Sequence, residues 1–206
     1  MAKNPEEGEI WEWRAFGTPP DKSLEAIRTR PIRMGVKDLP GEDIYLFSSL
    51  SDQNVKLRLW RGEWVLKLKL LLTTAPRGIE LYSETAGLVY KFPAGADLLT
   101  HVTRLLGVKL SSAPDLSAPL ASDQFIQALA EASPPVSTAR VVKVRSQFEF
   151  NRGWVELADA TFPRRRVHSL SIHSATTNGV EEILDEIGPG EELEVMNYVE
   201  ACRRWG

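Results

Sequence analysis

The chain has 206 residues, 43% of them hydrophobic and 26% charged, with a formal net charge of -3. That is enough chain to bury a sizeable core, and it lacks the basic excess of a general nucleic-acid binder. Cys202 is the only cysteine, which excludes an intrachain disulfide, and no run approaches the roughly 20 apolar residues that span a bilayer. The opening MAKNPEEGEI is polar and acidic, without the apolar stretch of a secretory signal, so a cytoplasmic location is expected.

In chain order, Glu9 to Gly17 (EIWEWRAFG) reads as a strand ended by the turn-forming GTPPD. Lys22 to Arg33 is basic and mixed, a short helix or an irregular excursion. Asp43 to Phe47 (DIYLF) is a strand by composition. NVKLRLW and EWVLKLKLLL follow, joined by Arg61-Gly62 as a hairpin. GIELYSET and GLVYKF read as two further short strands.

The middle of the chain turns helical. Leu98, Leu99, Val102, Leu105 and Leu106 lie close to one helical face, with Gly107 as the stop. A Ser/Pro/Ala-rich link then holds a second short helix near Asp123 to Glu131, with Asp123 as the expected cap. Strands resume with TARVVKVRSQFEF, GWVELADATF and VHSLSIHS. The tail reads as a helix capped near Asn178 and stopped at Gly188, then a last helix over EELEVMNYVEACRRW. The whole is an α+β chain on an antiparallel framework of about eight strands, enough to close a barrel lined by side chains.

Alternation decides which side chains share a face. Lys56 and Arg58 oppose Val55, Leu57 and Leu59, and Lys67 and Lys69 oppose Leu66, Leu68 and Leu70. Lys143, Arg145 and Gln147 oppose Val142, Val144, Phe148 and Phe150. Glu80, Tyr82 and Glu84 fall together, as do Trp154 with Glu156 and Glu12 with Arg14. A sheet packed on helices with its polar side in water would give the same letters. Three strands with paired cations and no acid on the same face favour a polar-lined barrel interior, because facing like charges destabilise a sheet unless an anion or carboxylates meet them.

The ordered set IWEWR, DIYLF, LRLW, VLKLK, ELYSE, VVKVRSQF, VELAD and SLSIHS resembles the CYTH, or triphosphate tunnel metalloenzyme, family over about Glu9 to Gly188. No single motif is specific; the order carries the likeness. The resemblance implies one CYTH-like domain over 1–206, an eight-stranded antiparallel tunnel with a helical insertion at about 95–135 and C-terminal helices at about 178–205. It implies binding of a small phosphorylated anion (triphosphate, nucleotide or polyphosphate) by Arg14, Arg58, Lys69, Lys143 and Arg145, to which alternation adds Lys56 and Lys67 on the same faces. It also implies Mg²⁺ or Mn²⁺ held by Glu12, Glu80 and Glu84, with Glu156 added as a candidate ligand by alternation, and metal-dependent triphosphate hydrolysis. The alternative is a non-catalytic polyphosphate- or nucleotide-binding or interaction module.

The departures fall mainly on the metal half. Ile10 stands at the first glutamate of the opening motif, Trp60 at the second arginine of the LRxR-like strand, and Ser171 and His173 at a late Glu-x-Glu pair. A Ser/His pair is a poor substitute for the oxygen ligands that Mg²⁺ prefers. Neither membrane association nor specific nucleic-acid binding is expected. Pro163 to His168 (PRRRVH) reads as a solvated basic loop, and Cys202 as a packing residue.

Overall fold

The computed structural model describes residues 8–83, 89–111 and 118–206. The first half holds β1 (Glu9–Phe16), α1 (Asp21–Arg28), β2 (Leu39–Ser48), β3 (Ser51–Trp60), β4 (Glu63–Ala75), β5 (Ile79–Ser83) and β6 (Val89–Lys91). Then come α2 (Ala96–Leu105), α3 (Ser122–Ala130), β7 (Ser137–Phe150), β8 (Gly153–Thr161), β9 (Arg166–Ser174), α4 (Thr177–Ile187), β10 (Glu194–Val195) and α5 (Tyr198–Trp205). Among the described residues no helix is long and apolar enough to cross a membrane.

The strands run β1-β5-β4-β3-β2-β7-β8-β9 around the sheet, and β9 pairs back onto β1 from Trp11↔Ser174 to Phe16↔Ser169. This closes the eight-stranded antiparallel barrel that the sequence implied. β6 and β10 are short additions to β4 and β1. At the β3–β4 hairpin Arg61 and Gly62 both have positive φ, 53° and 84°. A two-residue turn needs that geometry if its twist is to match the strands.

The apolar side of each strand points outward, where helices cover it in two places. Trp11, Trp13, Leu81, Val155 and Ile172 pack under Ile27 of α1 and Val180, Ile183 and Leu184 of α4. Val55, Leu57, Leu66 and Leu68 pack under Leu99 and Val102 of α2 and Phe125 and Leu129 of α3. Each aliphatic side chain so buried contributes roughly 1.5–3 kcal/mol. This outer clothing leaves the opposite, charged faces to line the interior.

α5 fills one end of that interior. Tyr198, Val199, Cys202 and Trp205 pack with Phe16, Tyr45, Phe47, Ala139 and Val141 from the inward faces of strands, and with Phe162 just past β8. Trp205 meets Phe16 and Phe162 edge-on at 5.4 and 5.2 Å. The barrel is therefore a cup whose other end lies by the β3–β4 hairpin.

Local expectations are corrected at three places. Glu191 to Met196 is not helical: Glu194 and Val195 pair with Phe16 and Ala15, the part of β1 that runs beyond β5. The helix starts only after Asn197, whose side chain accepts from the Val199 and Glu200 amides. α4 is capped by Thr176, accepting from Gly179 N, two residues before Asn178. Asp123 lies inside α3 instead of capping it; Gln124 closes that end by accepting from Ala121 N at 2.9 Å.

Candidate functional site

The cup encloses a cavity of about 350 Å³, and all seven predicted anion ligands line it: Arg14, Lys56, Arg58, Lys67, Lys69, Lys143 and Arg145. They come from β1, β3, β4 and β7, brought onto one wall surface by barrel closure. Lys56 and Lys67 are direct cross-strand partners, the like-charge pairing that an isolated sheet avoids. Glu9, Glu12 and Glu156 also border the cavity. Glu9 lies at the mouth beside Ile10.

Asp43 is the acid that sequence reasoning left out of the site, and it anchors the deep wall. Its carboxylate is 1% exposed and accepts from Lys143 Nζ at 2.6 Å and from Arg58 Nε and Nη2 at 2.8 and 3.1 Å, with Lys56 Nζ 3.4 Å away. Burial alone would push its carboxyl up; the facing Lys143, Lys56 and Arg58 outweigh that and hold it well below the ordinary range. Burial pushes the Lys56 and Lys143 amines down despite Asp43, helped by the neighbouring cations. An added anion would relieve that crowding. The signal was present: Asp43 and Tyr45 alternate onto the inward face of DIYLF, and Tyr45 Oη meets Lys143 at 3.1 Å.

The second acidic centre is Glu12. Arg14 Nε donates to its Oε1 at 2.8 Å, Lys69 Nζ donates to Oε2, and His173 Nδ1 lies 3.5 Å from Oε2. Burial opposes ionisation of Glu12, yet Lys69, Arg14 and His173 hold its carboxyl well below the usual range. Glu156 accepts from Gln147 Nε2 at 2.9 Å, with Arg145 Nη1 at 3.6 Å and Arg14 Nη2 at 3.9 Å. Burial again raises its pKa, and the two arginines win, bringing it to about 2. His173 is buried, stacks on Trp154 at 4.8 Å and bonds Ser171 Oγ through Nε2 at 3.0 Å; burial lowers its pKa to about 4, so the ring is neutral near pH 7.

Two polar atoms of this wall, Arg145 Nε and Trp154 Nε1, are buried donors without a hydrogen-bond partner among the described residues. Buried donors of this kind are uncommon in proteins and mark a place for an acceptor. Asn197 and Tyr198, from the start of α5, also line the cavity and were not foreseen as site residues. Asn197 followed by Glu200 has the capping-box spacing that would have marked a helix start there. Trp60 is 56% exposed at the hairpin end and is not among the residues that line the cavity.

The expected metal ligands are not gathered. Glu12 and Glu156 sit in the cavity with their oxygens engaged by cations or Gln147, whereas Glu80 turns into a second cavity of about 250 Å³ with Asp52 and Glu200. There it accepts from Tyr82 Oη at 2.6 Å and Asn197 Nδ2 at 2.9 Å. Glu84 lies outside the described residues. Among the described residues no group of three His, Cys, Asp or Glu side chains is placed to hold an ion. The described donor set therefore does not fit Mg²⁺ or Mn²⁺, which ask for several free oxygens around one point.

No protein-family model and no curated protein matches the chain. Solved structures do. A Bacillus halodurans protein provisionally assigned as an adenylate cyclase aligns at TM-score 0.53 and 13% identity, over 94% of this chain and 98% of its own. The PH1012 protein of Pyrococcus horikoshii OT3 aligns at 0.52 and 17% identity, over 93% and 98%. HpAC1 of Hippeastrum, described with a dominant triphosphatase activity, aligns at 0.50 and 12% identity, over 95% of each. At these identities the likeness concerns the fold alone, and the fold of this chain is the closed eight-stranded tunnel of the CYTH type.

Proposed function

We propose that this chain binds a triphosphate, or a phosphorylated anion of similar charge, in the cationic cup. The observation that carries the reading is the convergence of seven cations on one enclosed cavity that also offers two unsatisfied buried donors. Phosphate oxygens would accept from Lys67, Arg145 and Trp154 nearer the mouth, and from Lys56 and Lys143 at depth. Such charge-assisted bonds contribute about 1.5–3 kcal/mol each in a site shielded from water. Calorimetric titration with inorganic tripolyphosphate at low salt tests this: saturable binding is expected, and heats indistinguishable from buffer dilution would refute it.

Hydrolysis of the bound triphosphate is the second reading, favoured by the triphosphatase activity described for the similarly folded HpAC1. Within this chain, Lys and Arg would hold the phosphates and neutralise charge developing on them. No described residue is placed to activate water with a metal, so no step through one is drawn. Phosphate release from tripolyphosphate or ATP, measured with and without added Mg²⁺ or Mn²⁺, decides between a hydrolase and a binder.

A further inference from the structure

The acids of the cup are committed to the protein's own cations. Both oxygens of Asp43 are taken by Arg58 and Lys143. Both oxygens of Glu12 are taken by Arg14 and Lys69, the second reinforced by the nearby His173 ring. Glu156 gives Oε2 to Gln147 and faces Arg14 and Arg145. A divalent ion at Glu12 would sit against a buried ammonium and a buried guanidinium already bonded to the same carboxylate, and would have to displace one of them or bear their repulsion. Displacing a buried cation from its partner leaves that cation uncompensated in the wall.

The ligand's own charge points the same way. The cavity has an excess of cations over Glu9, Glu12, Glu156 and the adjoining Asp43. A magnesium ion riding on the polyphosphate would cancel part of the negative charge these cations meet, and would itself face a positive wall. From this we infer that the cup takes the free polyphosphate and discriminates against its magnesium complex, with Lys69 and Arg14 standing on Glu12 where a metal would otherwise bind. The inference rests on the anion-binding reading above and specifies which form of the anion is recognised.

The test uses the full chain and inorganic tripolyphosphate, titrated calorimetrically once in EDTA and once with Mg²⁺ in excess of the ligand. Binding in EDTA, weakened by at least about tenfold in Mg²⁺, is the expected result. Equal affinity, or binding that appears or tightens only with Mg²⁺, overturns the inference while leaving anion binding intact. Silence in both arms overturns the anion-binding reading and this inference with it. A second measurement addresses Glu12 directly. Millimolar Mn²⁺ without anion should leave the thermal midpoint of the wild type unchanged and raise that of Lys69→Met, in which the Glu12 oxygen is released. A Mn²⁺-induced rise in the wild type would overturn the assignment of Lys69.

Discussion

Arg58 grips Asp43 through both carboxylate oxygens, Nε to Oδ1 at 2.8 Å and Nη2 to Oδ2 at 3.1 Å. The two residues are direct cross-strand partners of β2 and β3, so the pair is fixed by backbone register before any ligand arrives. Lys143, from β7 on the other side of β2, completes the grip. Asp43→Ala would leave these cations buried together without an acid. The expected loss is about 3–5 kcal/mol in urea unfolding, and a loss below about 1 kcal/mol would show that Asp43 does not organise the wall.

Arg145 should behave differently. Its side chain is 21% exposed, its ion partner Glu156 is 3.6 Å away, and its Nε has no acceptor among the described residues. Arg145→Ala should therefore change stability little while weakening tripolyphosphate binding by about 10- to 100-fold, the equivalent of one charge-assisted bond. Calorimetry and a denaturation midpoint on the same variant separate the two effects.

The acid response should come in two windows. The folded His173 pKa, lowered chiefly by burial to about 4, lies below the ordinary histidine value of about 6.5. Between those values the unfolded chain binds the extra proton, so stability falls as pH drops from about 6.5 towards 4. Glu156, at about 2 when folded, adds a second loss from about 4.3 downward, because its native ion pairs must be protonated away. The groups around His173 are Glu12, Lys69, Arg14 and Glu156. Unfolding midpoints measured from pH 7.5 to 3 should show the first loss vanish in His173→Phe and persist in Glu156→Gln.

Trp205 closes the filled end of the barrel against Phe16 and Phe162. Trp205→Ala should cost about 3–5 kcal/mol through lost burial and the void left behind. Tryptophan and aromatic signals in near-ultraviolet circular dichroism would report the loosening, and an unchanged thermal midpoint would contradict the role given to α5.

Most of the barrel could be read from the letters because strand alternation is local. Lys56 with Arg58, Lys67 with Lys69 and Lys143 with Arg145 declare their common faces within two residues of one another. The charge pairing could not be read the same way. Asp43 and Lys143 are 100 residues apart, and only the β2–β7 register makes them neighbours. Glu80 shows the converse: it is opposite Glu12 in register, yet Asn197 and Tyr82 draw its carboxylate out of the cationic cavity. Helix α5 was foreseen as a helix but not as a lining element, since nothing in its amphipathic pattern says that its partner is the inside of a barrel. The run before it was misjudged because acidic residues with good helix propensity were needed as an edge pair for β1.

The filled end gives the molecule a direction. Past Arg14 and Asn197, which border both cavities, lie the carboxylates of Asp52, paired with Arg203, and of Glu80 and Glu200, bonded to Asn197, none of which offers an anion a hydrogen-bond donor. An anion bound as proposed would therefore leave by the doorway it came through. A long phosphate polymer could present only its terminus, with the remainder trailing into solvent by the hairpin. On the proposed anion-binding reading, such recognition would sense chain ends and miss chain interiors, so the number of termini in a sample, not its total phosphate, would set how much protein it occupies.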